Sequence, residues 1–382
     1  MNTNDLIELG NSYRNNTEPD KALECYAQVF IKEPTNPHAW NNYGNVLREM
    51  GEPKRAIPFL QHAIALVPDY VTANFNLSVA YLLSGDLKNG LAYYEWRWLY
   101  EHLAGMLPNL SKPRWEGQDL QGKTILVTWE QGLGDTIQFV RFFRDLKELG
   151  ARTIFYANDG MKELFENNNY MDLVVTNLDE VEDYDYWTPT MSIPRVLGTT
   201  YETLRTDLEY ITANPKYTEP WAARLGPKTK MRIGVCWSGR KDSWINQHKS
   251  VPLEKMLVLI NANPHIDWIN LQANATDEEA QLVLNSPMKI YPGSIRHWGD
   301  TAALLHHCDL VISVDTSIAH LAGAMGKQLW IPLNNFAVDW RYLLDTGLSP
   351  WYPTARIFRQ PTIGDWDTVL NAIHLYLEKV NI

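Results

Sequence analysis

Two turns in this sequence carry residue types that can do chemistry. The first is Gly132-Leu133-Gly134-Asp135-Thr136, which follows the apolar run Thr124 to Trp129 and opens a segment of helical periodicity. A strand that ends in a glycine turn and passes into a helix presents a catalytic group or a phosphate site at the carboxyl edge of a parallel sheet. Asp135 can serve there as a general base, with Gly132 and Gly134 leaving room for a substrate, or it can simply cap the helix. The second turn is Asp315-Thr316-Ser317, after the apolar run Leu310 to Val314 and one turn ahead of His320. Free amides, the positive end of a helix dipole and two hydroxyls make that turn an anion site. Asp315 would repel a phosphate, so it caps the helix or binds a hydroxyl; His320 is either part of the site or a packed core histidine.

Between these turns, Ser238-Gly239-Arg240-Lys241 follows an apolar run ending at Trp237, and Lys249-Ser250 comes shortly after. This gathers positive charge and hydroxyls, for which a diphosphate is the matching ligand; a solvated loop is the competing reading of Arg240 and Lys241. Gln272, just past the run Trp268 to Leu271, is placed to contact a nucleotide. The glycine turn does not complete a dinucleotide fingerprint, because Ile137 stands where the third small residue belongs and the next strand ends at Asn158 without a clear acidic partner. Two DxD triplets, Asp183-Tyr184-Asp185 and Asp365-Trp366-Asp367, lack the preceding strand that a metal site of that kind needs. His306, His307 and Cys308 are consecutive and point different ways on a helix, so they make no metal site either.

Composition narrows the class. A chain of 382 residues with 45% hydrophobic and 21% charged residues is a folded protein of more than one domain. Its net charge of -11 argues against nucleic acid as a partner. The acidic run Leu178 to Asp185 reads as a solvated loop, with a basic acceptor peptide as the alternative. Cys25, Cys236 and Cys308 are far apart and show no CxxC spacing, which fits a reducing compartment. The polar start MNTNDLIELGNSYRNN is not a signal peptide, and no apolar stretch reaches the length of a spanning helix. The expectation is a cytoplasmic protein, free or peripheral to the inner face of a membrane.

The elements that must position these turns come in two kinds. Trp40, Tyr43, Gly44, Leu47, Ala56, Leu60, Ala63 and Pro68 fall on the spacing of the ~34-residue tetratricopeptide pattern. One period earlier, Leu6, Leu9, Gly10, Tyr13, Ala22, Tyr26, Val29 and Pro34 occupy the same slots. A third unit begins with Leu77, Ser78 and Tyr81 and continues through Gly90 and Tyr94, but Arg97 and His102 replace its last small residue and proline. LAYYEWRWLYEHL is therefore expected to run on as a longer helix whose aromatic residues pack between domains. Stacked repeats of this kind hold peptides or protein partners and carry no chemistry.

From Thr124 the pattern alternates strand and helix, with a helix over Thr136 to Leu149, strands at Thr153 to Tyr156 and Leu173 to Thr176, and a helix at Asp159 to Asn167. The Pro-rich stretch Ile211 to Lys230 reads as a linker. Beyond it the alternation resumes, with strands expected at Met231 to Trp237, Ile266 to Leu271, Lys289 to Tyr291, Leu310 to Val314 and Gln328 to Pro332. The division is 1–105 for about three repeats, 106–225 for an acceptor half carrying the base, and 226–382 for a donor half. Two doubly wound halves imply a cleft between their strand carboxyl ends, opening and closing about the linker.

WEQGLGDTIQFVRF, GVCWSG, HKSVPL, HWGDTAALLHHCDLVISVDTSIAHLAGAMGK and WIPLNNFAVDWRYLLDTGLSPWYPTARIFRQ together resemble the heptosyltransferase-like glycosyltransferases, family nine, in a tetratricopeptide-linked form. The layout is also similar to the protein O-GlcNAc transferases. The resemblance implies a GT-B pair of Rossmann-like domains after the repeats, inversion at the anomeric carbon, a nucleotide-sugar donor such as ADP-heptose, and no cofactor or essential metal. It implies that Asp135 is the general base and that Asp315, Thr316 and His320 form the donor-binding segment. Ser238, Lys249, Gln272, Ser317 and Arg341 join that donor site, although Lys249 stands where related sequences carry Arg. It also implies that the final helix, Asp365 to Val380, packs back across the cleft. The acceptor is a glycan or a protein hydroxyl, with the repeats favouring a protein or peptide. The competing reading is a repeat scaffold whose nucleotide-sugar site has lost activity.

Overall fold

The computed structural model describes residues 1–379 apart from 101, 102, 104, 106, 107, 182, 207, 208, 241–247 and 274, so His102 and Lys241 lie outside the described residues. Contacts divide the chain into two units. One joins Met1–Pro108 to Gly198–Leu204 and Asn335–Thr346; the other holds Asn109–Leu197, Arg205–Asn334 and Gly347–Ile382. This differs from the three-part division read from sequence, because both sheets fall in one unit and Asn335–Thr346 groups with the repeats.

In the first unit, helices pair as Thr3–Asn15 with Pro19–Lys32, Pro37–Glu49 with Pro53–Leu66, and Val71–Leu83 with Leu87–Tyr94. Repeat-pattern glycines let the partners touch. A Cβ on Gly10 would lie 2.6 Å from the Tyr26 ring, and one on Gly44 would lie 2.8 Å from Leu60. The second helices end at Lys32 and Leu66, just ahead of Pro34 and Pro68, which cannot continue them.

The third pair departs from the expected long helix. Its second helix stops at Tyr94 and is followed only by the 3₁₀ turn Glu95–Trp98. Fully buried Arg97 explains the stop: its guanidinium lies over Trp98 at 4.2 Å and Tyr94 at 5.0 Å, and donates to the Tyr94 carbonyl at 3.0 Å. Tyr100 stacks on Phe75 at 4.6 Å and Tyr93 packs against Tyr81 at 5.9 Å. The aromatic residues expected between domains thus pack among themselves and on the repeats.

Asn335–Thr346 lies against the same helices. Its turn Trp340–Tyr342 packs on Val71–Leu83, the Ala337 amide donates to the Glu49 carbonyl at 2.9 Å, and Phe336, Val338, Trp340 and Tyr342 are buried. The Glu49 side chain, 1% exposed, accepts from Arg14 Nε at 2.6 Å and faces Arg48 at 3.3 Å. Desolvation by burial lowers the Arg48 pKa from its ordinary value, the neighbouring Glu49 opposing it.

The second unit holds two wholly parallel sheets. In the first, β1 (Thr124–Thr128), β2 (Arg152–Tyr156), β3 (Leu173–Val175) and β4 (Tyr186–Pro189) stand in the order β3-β2-β1-β4. In the second, β5 (Arg232–Cys236), β6 (Asp267–Asn270), β7 (Leu310–Ser313), β8 (Gln328–Leu333) and β9 (Ala355–Arg359) stand in the order β6-β5-β7-β8-β9. Both wind outward in two directions from their first strand, β1 or β5, which is the doubly wound pattern.

Several expectations change. β4 and β9 were not foreseen, since a Thr- and Pro-containing stretch and an Arg-flanked one lack a clear apolar run. The strand expected at Lys289 to Tyr291 reduces to one bridge between Lys289 and Ile269. The linker contains a helix, Pro215–Leu225, started by Asn214 accepting from the Lys216 amide and by Pro215 at its first position. It buries Tyr217, Trp221 and Leu225 and packs on the helix Trp298–His306. The final helix, Trp366–Lys379, does not cross back. Its buried Trp366, Val369, Leu370, Ile373 and Leu377 join the core of the second sheet with Met256, Leu259 and Ile260. Among the described residues no helix is long and apolar enough to cross a membrane.

Replacing Glu49 with Ala should strand two largely buried guanidinium groups and cost about 3 kcal/mol. Urea unfolding followed by far-ultraviolet circular dichroism measures this, and faster amide exchange in 335–346 should accompany it.

Candidate functional site

The turn after β1 is built by local hydrogen bonds. Glu130, 2% exposed, accepts the Met191 amide at 2.8 Å, and Gln131 takes φ +58° before Gly132 caps the helix Leu133–Phe139. The helix expected from Thr136 begins three residues earlier, because Asp135 Oδ2 accepts the Gly132 amide at 2.9 Å, the one half of a capping box that a glycine N-cap allows. Asp135 therefore sits in the first helical turn, half-buried, with one carboxylate oxygen occupied by the cap.

The second turn lies at the end of β7. β7 is buried throughout, and so is the helix Ser317–Ala324 from Ile318 onward; Asp315, Thr316 and Ser317 form a half-exposed break between them. Thr316, the N-cap residue of this helix, makes no side-chain cap hydrogen bond. Thr316 Oγ1 instead lies 3.0 Å from Ser313 Oγ and 3.8 Å from Cys236 Sγ. The helix dipole favours a negatively charged group at the first turn.

Asp315 pairs with Lys249 at 2.5 Å, their side chains 7% and 15% exposed. His320 Nε2 lies 3.8 Å from Asp315 Oδ1, and its Nδ1 lies 2.8 Å from the Tyr352 hydroxyl. His320 is buried and hydrogen-bonded, yet it stands beside the ion pair rather than in an apolar core. Lys249 comes to the cluster through its neighbour Ser250, whose Oγ lies 3.1 Å from Ser238 Oγ. Gln272 Oε1 accepts from the Ser238 amide at 3.0 Å and from Cys236 Sγ at 3.4 Å. Desolvation by burial raises the Cys236 thiol pKa, so it acts as a thiol donor in this network.

Gly134 joins the two turns. A Cβ there would lie 2.7 Å from His320 Cδ2 and 3.5 Å from Ser317 Cα, and the helices Leu133–Phe139 and Ser317–Ala324 pack on each other. The structure thereby brings Gly132, Gly134, Asp135, Lys249, Asp315, Thr316, Ser317 and His320 to adjoining positions, with Ser238 and Gln272 at the end of neighbouring β5 and β6. Arg341 falls in the other unit, where Nη1 meets both Asp339 oxygens at 3.1 Å and the guanidinium stacks on Trp340 at 4.6 Å. Arg240 is exposed.

Two residues escaped the sequence reading. Tyr352 lies in the loop before β9, where nothing local ties it to His320. Arg141, 7% exposed, is ringed by Tyr210, Trp351 and Tyr352 with its charge 4.7 to 5.2 Å from their centroids; an Arg between Val140 and Phe142 was its only sign.

The DxD triplets do surface work. Asp185 accepts the Thr124 amide at 2.8 Å, Asp183 meets Lys112 at 3.1 Å, Asp365 caps Thr368, and Asp367 meets Lys255 at 2.5 Å. Among the described residues no group of three or more His, Cys, Asp or Glu gathers as a metal site.

The fold is of a recognisable class: tetratricopeptide repeats followed by a two-sheet parallel α/β unit that resembles the GT-B fold. A tetratricopeptide repeat model matches residues 7–70 and 44–95. Protein FlbA of Caulobacter vibrioides is 24% identical over 416 residues, covering 92% of this chain and 69% of FlbA. The glycosyl transferase family 9 structure from Veillonella parvula superposes with a TM-score of 0.53 at 13% identity, over 69% of this chain and 99% of that one. The structure of the E. coli ADP-heptose lps heptosyltransferase II gives a TM-score of 0.47 at 14% identity, over 67% of this chain and 99% of that one.

Gly134→Val should force its helix away from His320 and Ser317, lowering stability by about 1–3 kcal/mol. Thermal unfolding reads the loss, and any stabilisation by a bound anion should vanish with it.

Proposed function

We propose that this protein is an inverting, metal-independent glycosyltransferase. It moves a sugar from a nucleotide-diphosphate donor, ADP-heptose or similar, to a hydroxyl of a glycan or protein acceptor. The observation that carries this reading is the meeting at Gly134 of the Asp135 turn with the N-terminus of the helix at Ser317. The family nine fold likeness supports it at the level of the fold.

In the reaction, the acceptor oxygen attacks the anomeric carbon from the face opposite the diphosphate. Asp135 takes the acceptor proton as the new carbon–oxygen bond forms. The bond from the anomeric carbon to the phosphate oxygen breaks, and the diphosphate leaves with the electron pair. Lys249 and the first-turn amides of Ser317–Ala324 meet the charge that develops there. Lys249 must then exchange some of its contact with Asp315 for the diphosphate. Thr316, Ser317 and His320 contribute donors, while Ser238 and Gln272 hold the loop that carries Lys249. The repeats take a protein or peptide, as acceptor or as partner.

A second reading, a repeat scaffold with an inactive nucleotide-sugar site, is favoured by the engagement of Asp135 in a cap and of Lys249 by Asp315. Nucleotide binding and turnover separate the two.

A panel of nucleoside diphosphates should raise the melting temperature of the wild-type chain. Asp135→Asn should keep that shift and lower transfer or donor hydrolysis by 10²-fold or more, on the order of general-base losses. Normal turnover by the Asn variant removes Asp135 as base, and the absence of any shift favours the scaffold. A chelator such as EDTA should leave turnover unchanged.

A further inference from the structure

We infer that Arg141 locks the two sheets of the second unit in a single arrangement, so that binding of a ligand is not accompanied by closure about the segment that joins them. The lock does not depend on the chemistry proposed above.

Arg141 lies in the short turn that follows the helix carrying Asp135, and its guanidinium nitrogens reach three different parts of the unit. Nε donates to the Gln138 carbonyl of that helix at 3.0 Å. Nη1 donates to the Trp351 carbonyl of the second half at 3.1 Å and to the Arg205 carbonyl of the connecting segment at 3.4 Å, and Nη2 donates to the Tyr210 hydroxyl at 3.1 Å. The side chain is buried. Parting the halves would take from a desolvated charge the Trp351 carbonyl and the Trp351 and Tyr352 rings together.

The connecting segment is itself held from both sides. The Tyr210 carbonyl accepts from Asn168 Nδ2 of the first half at 3.1 Å, while the Tyr210 and Ile211 amides donate to the Ala324 carbonyl of the second at 2.9 and 3.1 Å. A hinge needs residues whose φ and ψ can absorb a large change, and Tyr210 is tied at its amide, its carbonyl and its side chain. The halves also interlock away from this segment. Besides the contact of Gly134 with His320, the Trp298 amide donates to the Gly160 carbonyl at 3.0 Å, and a Cβ on Gly299 would lie 3.1 Å from Glu163 Cβ. Gly134 follows β1 and Gly160 follows β2, which are adjacent strands, so the halves meet along an edge rather than at one pivot. Close packing of this kind shifts in discrete steps and resists small continuous slides.

The three native cysteines are buried, so nitroxide labels on Arg152→Cys and Val258→Cys, exposed positions in the two halves, report the distance between halves in the full chain by double electron–electron resonance. The labelled chain should give one narrow distribution that moves by less than about 2 Å when ADP, UDP or GDP is added. Adding Arg141→Met, which keeps the apolar stem and removes the charge, should broaden or split that distribution. Hydrogen exchange on the unmutated chain gives a reading that needs no variant: the Tyr210 and Ile211 amides should exchange no faster than those of β1 and β5. A broad ligand-free distribution, a larger shift on nucleotide binding, or exchange at Tyr210 and Ile211 ahead of the strands overturns the inference. So does an Arg141→Met distribution as narrow as that of the parent. If none of the nucleotides binds, the transferase reading fails, while the ligand-free distribution still decides the lock.

Discussion

The close approach of Gly134 to His320 and Ser317 is the constraint on which the candidate site depends. Each sheet alone presents a turn at its carboxyl edge, one carrying Asp135 and the other Asp315 at the start of the helix Ser317–Ala324. The missing side chain at Gly134 lets the two helices come this near. The helix Ser317–Ala324 is built to be approached: Ala319, Ala322, Gly323 and Ala324 are small and buried. Its last carbonyl, Ala324, accepts the amides of Tyr210 and Ile211, and Arg141 ties the first half to the Trp351 carbonyl of the second. Packing of this density has little slack, so a change of one methyl at Gly134 is transmitted directly to His320.

Charge within the site is balanced before any ligand is considered. Lys249 and Asp315 neutralise each other, largely out of water, and a pair of this kind is held by mutual attraction against a desolvation cost. An anion arriving at the helix end would find Lys249 within reach but already partnered. Binding is then an exchange of partners, which favours a ligand with more than one charged oxygen over a single weak acceptor.

The repeats present a different picture from a vacant peptide-binding surface. Their helix Val71–Leu83 and the Glu49 carbonyl are engaged by Asn335–Thr346, the connection between β8 and β9. Four apolar or aromatic residues of that segment are buried there, and Asp339 adds to the charges around Arg48. The repeats therefore hold a piece of their own chain, and a partner peptide would have to use the remaining surface or displace it.

Much of this architecture was legible in the amino-acid order. The tetratricopeptide spacing rests on small residues where helices touch, and such sites are marked by residue size alone. The strand-turn-helix units at Asp135 and Asp315 are likewise local, since apolar runs, glycines and helix-start residues act over a few positions. What short-range pattern could not carry was anything made by distant segments. Arg97 ends its helix through aromatic rings around it, β4 and β9 become strands by pairing with β1 and β8, and the final helix settles on its own sheet because Ile373 and Leu377 meet Ile260 and Met256. The pairing of Lys249 with Asp315, the contact of Gly134 with His320 and the bond from Tyr352 to His320 each join residues dozens to almost two hundred positions apart. Their distances follow from how two sheets and their helices pack, and tertiary structure alone decides that.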